Sequence, residues 1–282
     1  MRNQLFHIFR NTPAGRETLL TSRYFCQQFQ VRQMELYIPE HDGFNMTFGS
    51  KELAIFLDRS YRRDPRSAKS HAEEILADAD ILAHYFVCHK FKDRDLPEIP
   101  TDFSFMTCPD VVSRASGRFG LGHVGPGHVG PAVRSIVKHA AFPTLVPGHA
   151  FVPFRSISVM FGGSELGLTA LKLGLKLSRR SGLPLRVFTH DEGHNTEKRC
   201  ETTLSRAGLL DQVRSDSSWE VWRDKRIKAN LYRIPRDSIV FIGAAGQSAV
   251  KELTFGSMLQ RAQAELPQPL LIVGPAYQEN GE

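Results

Sequence analysis

Residues 238–246 read Ser238-Ile239-Val240-Phe241-Ile242-Gly243-Ala244-Ala245-Gly246, and after nine more residues comes Gly256-Ser257-Met258. The run up to Ile242 is apolar without polar alternation, the pattern of a strand covered on both faces in a parallel sheet. The glycines that follow bare backbone N–H groups. A loop that leaves a strand, exposes its amides and enters a helix is an anion cradle. Glycine suits such a loop because a Cβ would block the approach of a phosphate oxygen, and because these loops often need positive φ. Ser257 stands where a helix N-cap is expected, with Gln260 at capping-box spacing. In open parallel sheets the carboxyl end of a strand is also where ligands bind. A plain glycine turn before a capped helix fits the same letters, and glycine spacing alone leaves both readings open.

Working outward, the second half reads as strand and helix in alternation. Ile157-Ser158-Val159-Met160-Phe161 is a first strand, and Gly162-Gly163-Ser164 turns the chain. Ser164 caps a helix with Glu165 in its first turn, where negative charge is favoured. Leu166, Ala170, Leu173 and Leu177 form one apolar row, with Leu168, Leu171 and Leu175 beside it. Ser181-Gly182-Leu183-Pro184 stops the helix. Leu185-Arg186-Val187-Phe188-Thr189 is a second strand, Thr196 to Ala207 a helix and Trp219-Glu220-Val221-Trp222 a short third strand. A helix from Ser257 to Glu265 ends before Pro267. Leu270-Leu271-Ile272-Val273 closes the set. This rhythm predicts a parallel sheet with helices on both faces.

The first half follows the plan more loosely. Leu5 to Phe9 is a first strand, Thr12-Pro13-Ala14-Gly15 a turn, Arg16 to Phe29 a helix and Met34 to Ile38 a second strand. Phe103 to Thr107 matches the fourth strand, Pro131 to Ala140 the next helix and Pro143 to Pro147 the last strand. A charged insertion lies between Pro39 and Pro100, with a helical stretch at Ser70 to Ala79 and an apolar one at Ile81 to Val87. At 282 residues two domains are the natural expectation. The boundary falls in Pro147 to Phe154, giving domains of about 1–150, with the insertion at about 39–100, and 151–282.

The loop Gly243-x2-Gly246-x9-Gly256-Ser257, with its flanking strand and helix, resembles the G-x2-G-x9-G-[S/T] loop of the nucleotide-binding branch of the universal stress protein family. Residues 154–276 resemble one complete family domain. In the first half Gly117-Arg118-Phe119-Gly120, nine residues and Gly130-Pro131 fall on the same spacing, with Pro131 in place of the hydroxyl residue. Proline suits the first helical position, but a hydroxyl and a donor are lost, so this copy reads as a degenerate relic. Within it Gly122-His123-Val124-Gly125-Pro126 is repeated as Gly127-His128-Val129-Gly130-Pro131. The resemblance implies an α/β fold of two tandem Rossmann-like, adenine nucleotide α-hydrolase-like domains, each an open, mostly parallel five-stranded sheet flanked by helices. It implies ATP or AMP, with or without Mg, in the second domain at Gly162, Thr189, Ile242, Gly243, Gly246, Gly256, Ser257 and Met258. It also implies a regulatory stress-response role without efficient catalysis, and a homodimer of four similar domains paired through the closing strands. Family members that bind ATP carry an aspartate at the end of the first strand. Gly162 occupies that position here, leaving adenine to backbone groups near Thr189.

Other chemistry is weaker. His190-Asp191-Glu192-Gly193-His194 offers two imidazoles four apart, but not in the H-E-x-x-H order, and Gly193 favours a loop. His123 and His128 lie in a glycine-rich loop. Cys26, Cys88, Cys108 and Cys200 form no C-x-x-C pair, so neither a zinc knot nor a disulfide framework is expected. No G-x-S-x-G elbow occurs, and no general base or metal-holding acid flanks the loop. An ATP-using enzyme of the same superfamily is the alternative, through a similarity of Phe161-Gly162-Gly163-Ser164 to the S-G-G-x-D-[ST] loop, although Leu166 stands where the acid belongs. A ligand-free dimerisation or scaffold module is the third reading. The net charge of +6 comes without any run of five basic residues, so nucleic acid is not the expected partner. No apolar run reaches membrane length, and Met1 to His7 lacks a secretory apolar core, so a cytoplasmic protein is expected.

Overall fold

The computed structural model describes residues 3–57, 59–62, 65–86, 96–108, 130–148, 150–191, 193, 196–224, 226–244 and 257–278. The chain starts with β1 (Gln4–Ile8), α1 (Pro13–Gln28) and β2 (Gln33–Tyr37). The segment Thr12 to Gly15 is not a separate turn. Thr12 is the N-cap of α1, its hydroxyl accepting from the Gly15 N–H at 3.1 Å, and Pro13 takes the first turn.

Next come β3 (Gly43–Phe48) and β4 (Lys51–Phe56), an antiparallel hairpin. Gly49 takes φ +59° in its two-residue turn. Then follow α2 (Pro65–Leu76), β5 (Leu82–Phe86), β6 (Glu98–Ile99), β7 (Phe105–Thr107), α3 (Pro131–His139) and β8 (Thr144–Val146). Gly130 caps α3, with Pro131 in its first turn as the sequence predicts.

The second half supplies β9 (Ser156–Met160), α4 (Glu165–Ser181), β10 (Leu185–His190), α5 (Thr196–Arg206), α6 (Leu210–Asp216), β11 (Ser217–Trp222), α7 (Ile227–Leu231), β12 (Ser238–Gly243), α8 (Ser257–Glu265) and β13 (Leu270–Val273). Ser164 caps α4 through the Gly167 N–H at 3.1 Å. Gly182, at φ +74°, ends the helix in the left-handed conformation that a side chain would resist.

Among the described residues the main sheet has ten strands in the order β11-β10-β9-β12-β13-β8-β7-β1-β2-β5. All its pairs are parallel except β13 with β8. Each half contributes five strands in the same internal order, third-second-first-fourth-fifth. The two fifths meet antiparallel, Leu145 opposite Leu271. Neither closing strand therefore presents an open edge, and the reason to expect pairing through it with a second copy is met inside the chain.

The segment 39–100 differs from the sequence expectation of one appendage outside the shared core. Only β3, β4 and β6 form a separate three-stranded sheet. β5 returns to the main sheet as a parallel neighbour of β2 and fills the third-strand place that β11 fills in the other half. Its Leu82 is 55% exposed, as an outer edge strand allows.

Alternation along the strands divides the core between two faces. Phe6, Val240, Ile242 and Ile272 point to one side, covered by α3, α7, α8 and the small sheet through Val133, Leu231, Leu259 and Met46. Leu5, Val187, Phe241 and Leu271 point to the other, covered by α1, α2, α4 and α5 through Leu19, Ala72, Leu171 and Leu204. Leu171, Val187, Val240 and Ile272, the expected core of the second half, are all buried.

The halves are locked by reciprocal backbone contacts just beyond each fifth strand. A Cβ at Gly274 would overlap the Val137 carbonyl oxygen of α3, and one at Gly148 would overlap the carbonyl oxygen of Pro267, which follows α8. The Gly274→Ala variant should therefore lose about 1–3 kcal/mol in urea unfolding, the usual cost of overpacking. Gly162→Ala, where nothing lies within 4 Å of the added carbon, should fall within about 0.5 kcal/mol of the parent.

One polar chain crosses the first half's core. His7 Nδ1 lies 2.9 Å from Ser22 Oγ, which lies 2.8 Å from Thr107 Oγ1, and all three residues are buried. Burial pushes the His7 pKa down to about 3 from 6.5. Between those values the unfolded chain takes up a proton that the folded chain refuses. Stability should fall as pH drops through 6.5, by up to about 1.4 kcal/mol per pH unit. Urea unfolding between pH 7.5 and 5 should show a shallower loss in His7→Gln than in the parent.

Candidate functional site

The crevice singled out by the sequence lies at the carboxyl ends of β9, β10 and β12 in the second half. Its floor is the turn after β9. Phe161 closes the strand with its N–H donating to the Phe188 carbonyl at 2.9 Å. Gly162 is exposed and Gly163 takes φ +76°. That sharp reversal sets Ser164 to cap α4.

Ile242 pairs with Met160 on one side and Ile272 on the other, so β12 is central. Gly243 ends it against the first turn of α4. A Cβ there would come within 2.7 Å of the Leu166 carbonyl carbon and 2.8 Å of the Gly167 nitrogen. The close approach that demands glycine at 243 is thus strand to helix, and its φ is not positive. This differs from the expectation that a phosphate sets the requirement.

Gly246 and Gly256 lie outside the described residues, as does the first-half spacing from Gly117 to Gly127. Ser257 opens α8 as predicted, at the end of the interval that leaves β12. Met258 is half-buried and packs against the core below, a structural role.

Thr189 is fully buried at the end of β10. Its hydroxyl donates to the Phe161 carbonyl at 2.7 Å and accepts from Trp219 Nε1 at 2.9 Å. The side chain ties three strands together and has no donor left for a ligand. The residue that sequence reasoning missed is Arg199 on α5, whose Nη2 donates to the Gly162 carbonyl at 3.1 Å. Its Nε is buried without a partner. Beside it Thr203 donates to the Gly163 carbonyl at 3.2 Å. The expected helix over 196–207 implied an inward face, but not that a side chain from it would reach the glycine turn. No periodicity reports that reach.

Cys200, next to Arg199, is buried, and burial pushes its thiol up to about 11. Cys26 and Cys108 are buried free thiols held well above the usual range by the same cause. None of the three is a nucleophile at neutral pH.

The loop after β10 holds Asp191, whose carboxylate accepts from the Gly193 N–H at 2.9 Å, a contact that lowers its pKa ahead of the Thr196 hydroxyl. Among the described residues no group of His, Cys, Asp and Glu converges as metal ligands would. Nor is any helix long and apolar enough to cross a membrane.

The sequence matches no family model and no curated protein. The structure is similar to a universal stress protein from Archaeoglobus fulgidus DSM 4304, with 14% identity and a TM-score of 0.60, covering 97% of this chain and 99% of that one. It is also similar to a Pseudomonas aeruginosa UCBPP-PA14 protein described as a universal stress protein, with 10% identity and a TM-score of 0.56, covering 97% of this chain and 94% of that one. A third similar structure is the cytoplasmic domain of a prokaryotic cation chloride cotransporter, with 11% identity and a TM-score of 0.54, covering 99% and 98%. The fold is that of an open, mostly parallel α/β protein. That fold is the universal stress protein fold, over nearly the whole chain.

The committed hydroxyl of Thr189 makes a direct prediction. Thr189→Val keeps the shape but leaves the Trp219 N–H unpaired and the Phe161 carbonyl with only the long Cys200 thiol contact at 4.0 Å. It should cost about 1–3 kcal/mol, read as a lower urea midpoint by tryptophan fluorescence.

Proposed function

We propose that the chain is a regulatory nucleotide-binding protein of the universal-stress type, built of two tandem domains, with ATP or AMP held by the second and no efficient catalysis. The observation that carries this reading is the open place above Gly162. It lies at the carboxyl end of β9, next to central strand β12, and among the described residues nothing comes within 4 Å of where a Cβ would be. Phosphates would lie over Gly243, Gly246, Gly256 and Ser257, where the start of α8 favours an anion. The base would lie by Gly162 and the backbone of Thr189, bounded by Ile242 and Met258. Several charge-assisted bonds there are enough for micromolar affinity, about 8 kcal/mol, without an aspartate. Mg is an optional companion of the phosphates. Binding without efficient catalysis is the role this reading assigns to the site. A cytoplasmic location fits this role. A homodimer of four similar domains would have to use a surface other than the closing strands.

A second reading, a scaffold module without ligand, is favoured by Arg199, whose bond to the Gly162 carbonyl occupies part of the same edge.

Calorimetric titration of ATP and AMP separates the two. The nucleotide reading expects micromolar binding by the parent, none by Gly246→Val, about tenfold weaker binding by Ser257→Ala and little change in Pro131→Ser. A parent that takes up no nucleotide, or a Gly246→Val variant that binds as tightly as the parent, leaves the scaffold reading standing.

A further inference from the structure

The first half has its own crevice at the equivalent edge, and its chemistry is different. The segment Phe9-Arg10-Asn11-Thr12 takes the place of Phe161-Gly162-Gly163-Ser164. Phe9 N–H donates to the Tyr37 carbonyl at 2.8 Å as Phe161 N–H does to Phe188, and Thr12 and Ser164 each cap a helix through the amide three residues on. Arg10 thus stands where the second half has the bare Gly162.

Around Arg10 gathers a linked polar group. Asn11 Oδ1 accepts from the Arg16 guanidinium at 3.3 Å, and Asn11 Nδ2 donates to Ser67 Oγ at 2.9 Å. His71 Nδ1 lies 3.0 Å from both Arg16 Nη2 and Asn11 Oδ1. The Arg10 guanidinium lies over the buried Tyr61 ring, 5.5 Å from its centre, and its Nε is buried without a partner. Arg10, Asn11, Arg16, Ser67 and His71 are all half-buried.

Two features make this group incomplete as a structural cluster. Neither Arg10 nor Arg16 has an ion pair among the described residues, although half-buried guanidinia are normally paired. Helix α1 begins at this edge with no acidic residue in its first turn, so a positive helix end adds to two positive side chains. In the second half α4 begins with Glu165.

We propose that the first-half crevice is an oxyanion site for a phosphate-type group, held by Arg10 and Arg16 with Ser67, His71 and the start of α1 around it. Guanidinium forks match phosphate oxygens in pairs. The first half therefore binds a ligand class of its own through charge, without a glycine loop.

Thermal unfolding and calorimetry with inorganic phosphate, pyrophosphate and AMP test this, against sodium chloride at matched ionic strength. The parent should be stabilised by pyrophosphate beyond the salt control. Arg10→Gln/Arg16→Gln should weaken pyrophosphate binding at least tenfold, while Arg199→Gln in the second half leaves it unchanged. Arg16→Gln alone keeps Arg10 over Tyr61, so it reads the site even if losing that cover unfolds the first half, and it too should weaken binding. AMP binding tighter than phosphate in a manner lost with Arg16 identifies the group as a nucleotide's phosphate, and equal binding identifies a free anion. A parent that responds to pyrophosphate no more than to chloride, or arginine variants that bind as the parent does, would overturn the proposal.

Discussion

Three residue pairs, Val146 with Leu270, Leu145 with Leu271 and Thr144 with Ile272, turn two five-strand sets into one sheet. The pairing is antiparallel because the sets face each other across their fifth strands. Everything near the seam follows from how closely those strands must approach. Gly274 has no room for a side chain beside Val137, and Gly148 none beside Pro267, so the last helix of each half presses on the chain leaving the other. The seam is completed away from the strands. Glu17 accepts from the Phe151 N–H, Tyr24 donates to the Phe154 carbonyl, and Gln30 and Arg180 exchange bonds between α1 and α4. The linker is thus packed on the first half's first helix, and both faces of the sheet are continuous across the join. Two independent domains on a tether would show none of these bonds.

That continuity explains which parts of the fold were legible in sequence. Elements with a one-dimensional signal match their expected bounds: α8 from Ser257 to Glu265, β13 from Leu270 to Val273, and α4 between Ser164 and Gly182. Each has a cap, a stop or an unbroken apolar run. The parts that were not legible depend on partners distant in the chain. Ile81 to Val87 is as apolar as other strands, but nothing local says that it joins β2 across an excursion holding another sheet. The hairpin of β3 and β4 buries Phe44, Met46, Leu53 and Ile55, where α7 lies in the second half. A small sheet substitutes for a helix there because either can supply an apolar face to the same strands. Both α6 and α7 are short, seven and five residues, and too brief for a periodic signal.

The candidate sites divide in the same way. Gly162, Gly163 and Ser164 could be read directly, because a left-handed glycine and a cap leave letters in the sequence. Arg199 left none, since what matters is where its helix docks. Arg10 is legible as an arginine and uninformative as one, because its setting comes from Tyr61 and the neighbouring Asn11 cluster. Gly243 has a second cause besides the one its spacing suggests: the structure supplies a packing constraint through Leu166 and Gly167. The two causes are compatible, yet only the packing contact is needed to require glycine at that position.

Comparing the two crevices shows how one architecture can be tuned toward different ligands. In both, a first strand ends in phenylalanine, a short segment reverses the chain and a capped helix departs. The second half places Gly162 in the reversal and supplies its arginine from α5, where Arg199 donates to the Gly162 carbonyl, and it begins α4 with Glu165. The first half builds its arginine into the reversal as Arg10 and adds Arg16 one turn along, and among the described residues neither is ion-paired and α1 has no acid in its first turn. Half-buried positive charge without a counter-charge destabilises the folded chain unless something negative binds. That difference in charge around two otherwise matching reversals is what the proposed first-half oxyanion site rests on.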